Sequence, residues 1–152
     1  MSQRILVSSL VGVVVIGGIA AGGIAVASAS GTTEPALKNG SARFTGTSTG
    51  TGTGTLTFTA DVTDDSGVRS LNVLAWPARS ELDPTEAELR SAERATCEST
   101  GEDTSRCTYT VRASKEEAAE LGTGTWYVSA LVTAEDGGTA FVPRAATFEV
   151  SR

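Results

Sequence analysis

The chain has 152 residues, a net charge of −6, no histidine and only 5% aromatic residues. That is room for one domain around one core, and its scattered Lys and Arg form no cluster that could neutralise the phosphates of nucleic acid or anionic lipid. Without histidine there is no Ser-His or Cys-His pair, so an enzyme is not expected.

Met1 to Arg4 carries the amino terminus and one Arg, and Ile5 to Val26 is apolar or small throughout. Ala27-Ser28-Ala29 then supplies small residues where a signal peptidase reads. Residues 1–29 are therefore predicted to be a signal peptide cut before Ser30. The same apolar run is long enough to span a bilayer, which takes about 20 residues. Its five glycines favour cleavage over an uncleaved anchor by weakening the helix. Either way the domain is expected to be secreted or at the extracytoplasmic cell surface, touching membrane only if the leader stays. Loss of Arg4 with the leader takes the charge from −6 to −7.

Residues 30–40 read as a flexible segment, and 41–152 as the domain. Ala42-Arg43-Phe44 opens it as a short strand. Residues 45–55, almost entirely Gly and Thr, have no large side chain to bury and read as a mobile loop; Asn39-Gly40-Ser41 fits the glycosylation acceptor pattern. Leu56, Phe58, Ala60 and Val62 alternate with Thr57, Thr59 and Asp61, the period of a half-buried strand. Asp64-Asp65-Ser66-Gly67 turns the chain into a strand from Val68 to Trp76, apolar on both faces. Asp83-Pro84 predicts a helix start, with the helix running to about Arg94 and placing Leu82 and Leu89 over Leu74 and Trp76.

Cys97 and Cys107 are the only cysteines and are expected to form a disulfide stapling a hairpin. A metal pair is disfavoured because no further Cys or His completes a site. Ser114-Lys115-Glu116-Glu117 is a capping box for a short helix ending at Gly122. Trp126 to Ala134 alternates as a strand, Glu135-Asp136-Gly137-Gly138 turns, and Phe141 to Val150 closes the domain, with Pro143 implying an edge or bulge.

Seven strands with two short crossover helices predict an all-β, two-sheet β-sandwich. Asp64-Asp65-Ser66-Gly67-Val68, Leu121-Gly122-Thr123-Gly124-Thr125-Trp126-Tyr127-Val128 and Glu135-Asp136-Gly137 together resemble bacterial immunoglobulin-like domains over roughly Ser41 to Val150. Leu74-Ala75-Trp76-Pro77 and Phe141-Val142-Pro143-Arg144-Ala145-Ala146 resemble a family of small exported actinobacterial proteins of unknown function. The resemblance implies an immunoglobulin-like sandwich and no activity. Cys97 and Cys107 do not stand at the inter-sheet positions of antibody domains, so their bridge would be local.

Three candidate sites follow. In an immunoglobulin-like topology Asp64 and Asp65 share one end of the sandwich with Glu135 and Asp136, an oxygen-ligand patch suited to calcium; Asp and Gly are also what such turns require. Leu74 and Trp76 form a binding patch if the Pro84 helix leaves them exposed, and core if it does not. The braced segment 98–106 could act as an inhibitory loop against a hydrolase, since bridging lowers the ordering cost of binding. Paired-carboxylate chemistry would need a concave cleft. The expected function is a non-catalytic binding or structural module, monomeric, with no cofactor beyond possible calcium, recognising a protein or envelope polymer.

Overall fold

The computed structural model describes residues 33–46 and 52–151. The leader and residues 47–51 of the Gly/Thr-rich run lie outside the described residues, while Thr45, Gly54 and Thr55 of that expected loop are in strands. The described residues form a two-sheet sandwich of ten elements. They are β1 (Ala36–Thr45), β2 (Gly54–Thr63), β3 (Val68–Pro77), α1 (Glu86–Leu89), β4 (Glu93–Arg94), β5 (Thr96–Ser99), β6 (Thr104–Ala113), α2 (Lys115–Glu120), β7 (Gly124–Ala134) and β8 (Thr139–Val150). One antiparallel sheet has the order β1-β2-β6-β5 and the other β4-β3-β7-β8. These are the A-B-E-D and C-F-G orders of immunoglobulin-type sandwiches, with β4 added beside the C position.

The main core lies between the sheets. In β2 every second residue is buried, with Phe58, Ala60 and Val62 at 0% exposure, because one face of its pleat looks at the other sheet. Leu71 and Val73 of β3, Val128, Ala130 and Val132 of β7, and Phe148 and Val150 of β8 answer from the opposite side. A second, smaller core sits on the outer face of the β3–β7 pair. There α1 packs on β3 and β7, and Leu89, Leu131 and Trp76 are buried. The Trp76 ring meets Tyr127 edge-on, with centroids 5.0 Å apart. Its Nε1–H donates to Ser129 Oγ at 2.9 Å, and that hydroxyl donates to the Pro143 carbonyl at 2.7 Å. The register of β7 against β8 shifts between Val128 and Ala130. Pro143 thus sits where the ladder is interrupted, and a side-chain hydroxyl takes over the bonding of its carbonyl.

Several sequence expectations are revised. The first strand begins at Ala36, so residues 36–40 of the expected flexible segment are in the sheet; a bulge between Lys38 and Ser41 puts Asn39 at φ 53°, and its side-chain amide donates to Asp61. The helix expected from Asp83 is a single turn, Glu86–Leu89, capped by Thr85. Thr85 wins because Glu88 stands three residues on and completes a reciprocal capping box. The turn cannot continue to Arg94, since Asn72 Nδ2 donates to the carbonyls of Arg90 and Ala92 and Glu93–Arg94 pairs with β3 as an eighth strand. Leu89 is buried as expected, whereas Leu82 is 57% exposed. The second helix agrees with its capping box, Ser114 capping and Glu117 reciprocating.

Candidate functional site

The two sheets do not close along one side. β5 pairs with β6 only from Thr96↔Thr108 to Ser99↔Ser105, and β4 pairs with β3 only at Asn72 and Val73. Beyond those points β6 from Tyr109 to Ala113 and β3 from Leu74 to Pro77 have no strand neighbour on that side among the described residues. Between the two free stretches opens an apolar cleft of about 440 Å³. Leu56, Val73, Trp126, Phe148, Val150 and Phe44 are among the residues that line it. A Cβ on Gly54 would collide with the Phe44 ring, so that glycine keeps the ring in place. Trp126 stacks on Phe148 at 5.9 Å and donates its indole N–H to the Gly122 carbonyl, which fixes one wall. Val111 belongs to the alternating set that includes buried Cys107, yet it is 37% exposed because it faces the open cleft.

The backbone geometry along β6 decides which groups are free. Cys97 and Cys107 face each other with Cα atoms 4.0 Å apart, the narrow spacing of a pair that exchanges no backbone hydrogen bonds. The bonded positions toward β5 are therefore Arg106 and Thr108, and the alternation carries on to Thr110 and Arg112. Their N–H and C=O groups point to the open edge. This stretch is also regular, since β6 pairs with β2 without a register shift from Gly54↔Ala113 to Thr63↔Thr104.

The mouth is polar. Tyr109 donates its hydroxyl to Glu93 at 3.2 Å, joining a strand of one sheet to a strand of the other across the opening. Desolvation and the adjacent Glu93 carboxylate push the Tyr109 phenol up to about 12. Arg112 and Glu117 line the same cleft. The Ser114 backbone and hydroxyl hold the Glu117 carboxyl below its ordinary value through the cap.

The residues singled out in the sequence fall in different places. Leu74 is 36% exposed and borders the cleft, whereas Trp76 is 5% exposed and belongs to the outer core. The two do not form one exposed patch, because the Trp76 indole is buried edge-on to Tyr127 and bonded to Ser129. The disulfide joins Cys97 to Cys107 across β5 and β6. It draws most of segment 98–106 into the ladder, and Thr100 and Gly101 donate back to the Thr104 carbonyl, making a tight turn. Asp64, Asp65 and Asp136 come together at the opposite end of the sandwich from the cleft, each offering an oxygen within 4.8 Å of the others. Glu135 does not join them. Arg69 binds both its carboxylate and its carbonyl. The cleft itself was missed by sequence reasoning; its only signal was the shortness of the apolar runs around Glu93 and Cys97 beside the long alternation of β6.

A model of the family of unknown function DUF5707 matches residues 37–132. No curated protein matches the chain, and no solved structure does.

Proposed function

The chain belongs to the DUF5707 family, whose function is unknown, and from its own surface we propose that it is a non-catalytic protein-binding module that captures an extended peptide segment. The segment adds as a strand to the free edge of β6 and places an apolar side chain in the adjoining cleft. One observation carries this reading: a regular strand edge at Thr110 and Arg112, unpaired among the described residues, lies directly beside a 440 Å³ apolar cleft. Strand addition needs both parts, since main-chain hydrogen bonds supply affinity and alternate side-chain pockets supply specificity. A disulfide between neighbouring strands favours an extracytoplasmic setting, where such bonds persist. The apolar leader read in the sequence points the same way.

The test is selection of random linear peptides on the protein, followed by binding to two variants. Thr110→Pro removes an edge donor that does not serve the β2 ladder, and Val111→Glu puts a carboxylate in the cleft. Peptides with a single apolar anchor are expected, weakened about tenfold or more by either change. If selected peptides bind both variants as well as the parent, strand addition at β6 is wrong. A self-associated dimer dissolved by Thr110→Pro would instead make the partner segment a second copy of β6.

A further inference from the structure

From the opposite end of the sandwich we infer that Asp64, Asp65 and Asp136 form a calcium site. Asp64 follows β2, and its carboxylate is folded into the turn before β3, where the side chain is 2% exposed. One oxygen, Oδ1, accepts from the backbone N–H and the hydroxyl of Ser66 at 2.9 and 2.6 Å. The other, Oδ2, is buried with no hydrogen-bond partner. A buried carboxylate oxygen left unpaired is costly, and native proteins seldom leave one so without a reason such as an ion.

The surroundings raise that cost. Asp65 and Asp136 each bring an oxygen so close that all three ligand atoms lie within 4.8 Å of one another. No ion pair to Arg or Lys among the described residues neutralises any of them, because the nearby Arg69 is committed to Glu135. Like charges at this spacing favour a counter-cation. Three carboxylate oxygens within 4.8 Å of one another are close enough to share one ion, and calcium takes six to eight oxygens at about 2.3–2.6 Å in a flexible shell. Magnesium demands a strict octahedron at about 2.0–2.1 Å and gives up its water reluctantly, so carboxylates brought together from two turns suit calcium better.

The donors are held before any ion arrives. Asp136 Oδ1 accepts from Gly138 N–H at 2.9 Å, and Asp136 N–H donates to Ser66 Oγ at 3.1 Å, tying the β7–β8 turn to the β2–β3 turn. Gly67 at φ 95° and Gly137 at φ 92° make the two turns possible, since that region is open chiefly to glycine. Thr33, at the entry to β1, donates from its hydroxyl to Asp65 at 3.4 Å, and its carbonyl lies where a Cβ on Gly138 would meet it. Calcium would fasten these three segments to one another. With three carboxylates and the rest of its shell from main-chain oxygen or water, the affinity belongs to the extracellular range, about 10⁻⁴ to 10⁻³ M.

The experiment is thermal unfolding of the full chain in chelator, in about 10 mM calcium and in magnesium at matched ionic strength. Calcium is expected to raise the midpoint by about 5 °C or more. The isosteric exposed-residue variants Asp65→Asn and Asp136→Asn should abolish most of that rise while keeping a chelator midpoint near the parent's. Equal midpoints in calcium and chelator overturn the site. So does a rise of unchanged size in both variants, which would be screening of the net negative charge, and an equal rise with magnesium overturns the choice of calcium. A variant that melts far below the parent in chelator is replaced by calorimetric titration of the parent, where the absence of a one-to-one isotherm overturns the site.

Discussion

Reducing the Cys97–Cys107 disulfide should destabilise the domain by an amount the chain itself sets. The bridge closes a loop of sequence separation 10, and the loss of loop-closure entropy in the unfolded chain corresponds to about 2.7 kcal/mol at 25 °C. Reduction is a cleaner perturbation than mutation here because Cys107 is fully buried in the main core. Both sulfur atoms stay in place, so no cavity adds to the effect. For a domain of roughly 120 residues that loss lowers the melting midpoint by about 10 °C. Denaturant unfolding with and without reductant measures it, and the slope with denaturant should also rise, since the unbridged unfolded chain exposes more surface.

The location of the loss is as informative as its size. β5 has only four residues and pairs with β6 alone among the described residues, so the bridge is a large part of its attachment. Hydrogen exchange should therefore show Thr96 to Ser99 losing protection on reduction, with Leu56 to Val62 changed only through the global stability. A difference between oxidised and reduced forms below about 1 kcal/mol would refute the reasoning. It would mean that the reduced, unfolded chain already holds this hairpin together.

Ser129→Ala should cost about 2–4 kcal/mol in denaturant unfolding, because it strands both the Trp76 indole N–H and the Pro143 carbonyl, at about 1–3 kcal/mol for each orphaned group; the hydroxyl now serves both. Tyr109 ionises at about 12 in the folded protein against 10.0 for the free side chain. The unfolded state thus loses its proton first as pH rises, and stability is full below pH 10 and falls through the window up to about 12. Exposure of the mouth trims the size of that fall. Tyr109→Phe should flatten this limb of the stability–pH profile, and an unchanged limb would assign it to other groups.

Much of the sandwich was legible because burial on one face imposes a period of two. Leu56, Phe58, Ala60 and Val62 could hardly sit otherwise, and the strand they announce alternates in burial without a break from Gly54 to Thr63. The capping box at Ser114 and Glu117 was legible for a similarly local reason. Asp83-Pro84 misled because a second capping signal at Thr85 and Glu88 lay just beyond it. The end of that helix was set by Asn72, a tertiary contact that no local pattern contains. At the acidic end, topology rightly brought Asp64, Asp65 and Asp136 together. Glu135 was lost to Arg69, a choice made across 66 residues of sequence. The cleft was illegible because it is defined by where β4 and β5 stop.

The way the other edges are treated bears on whether the open stretch of β6 is an accident. A free edge invites pairing with any extended chain, and proteins blunt it with bulges, proline or very short strands. On the outer strand of each sheet such a device is present: a bulge at Asn39 in β1, Pro143 and a register shift in β8, two residues only in β4, four in β5. The free end of β3 terminates in Pro77, whose carbonyl is already taken by Ser80. From Tyr109 to Ala113 there is no proline, glycine or register shift, and the only charge is Arg112. The same stretch flanks the apolar cleft. An edge left unguarded by chance would carry an aggregation cost with no compensating contact. An edge kept for a partner would look as β6 does, regular in backbone, apolar on its inner side and charged once at the rim. Adding a guard should then separate the two: Thr110→Pro is expected to leave solubility and melting nearly unchanged while removing peptide capture. A variant that is markedly more soluble than the parent would show the edge to be a liability instead.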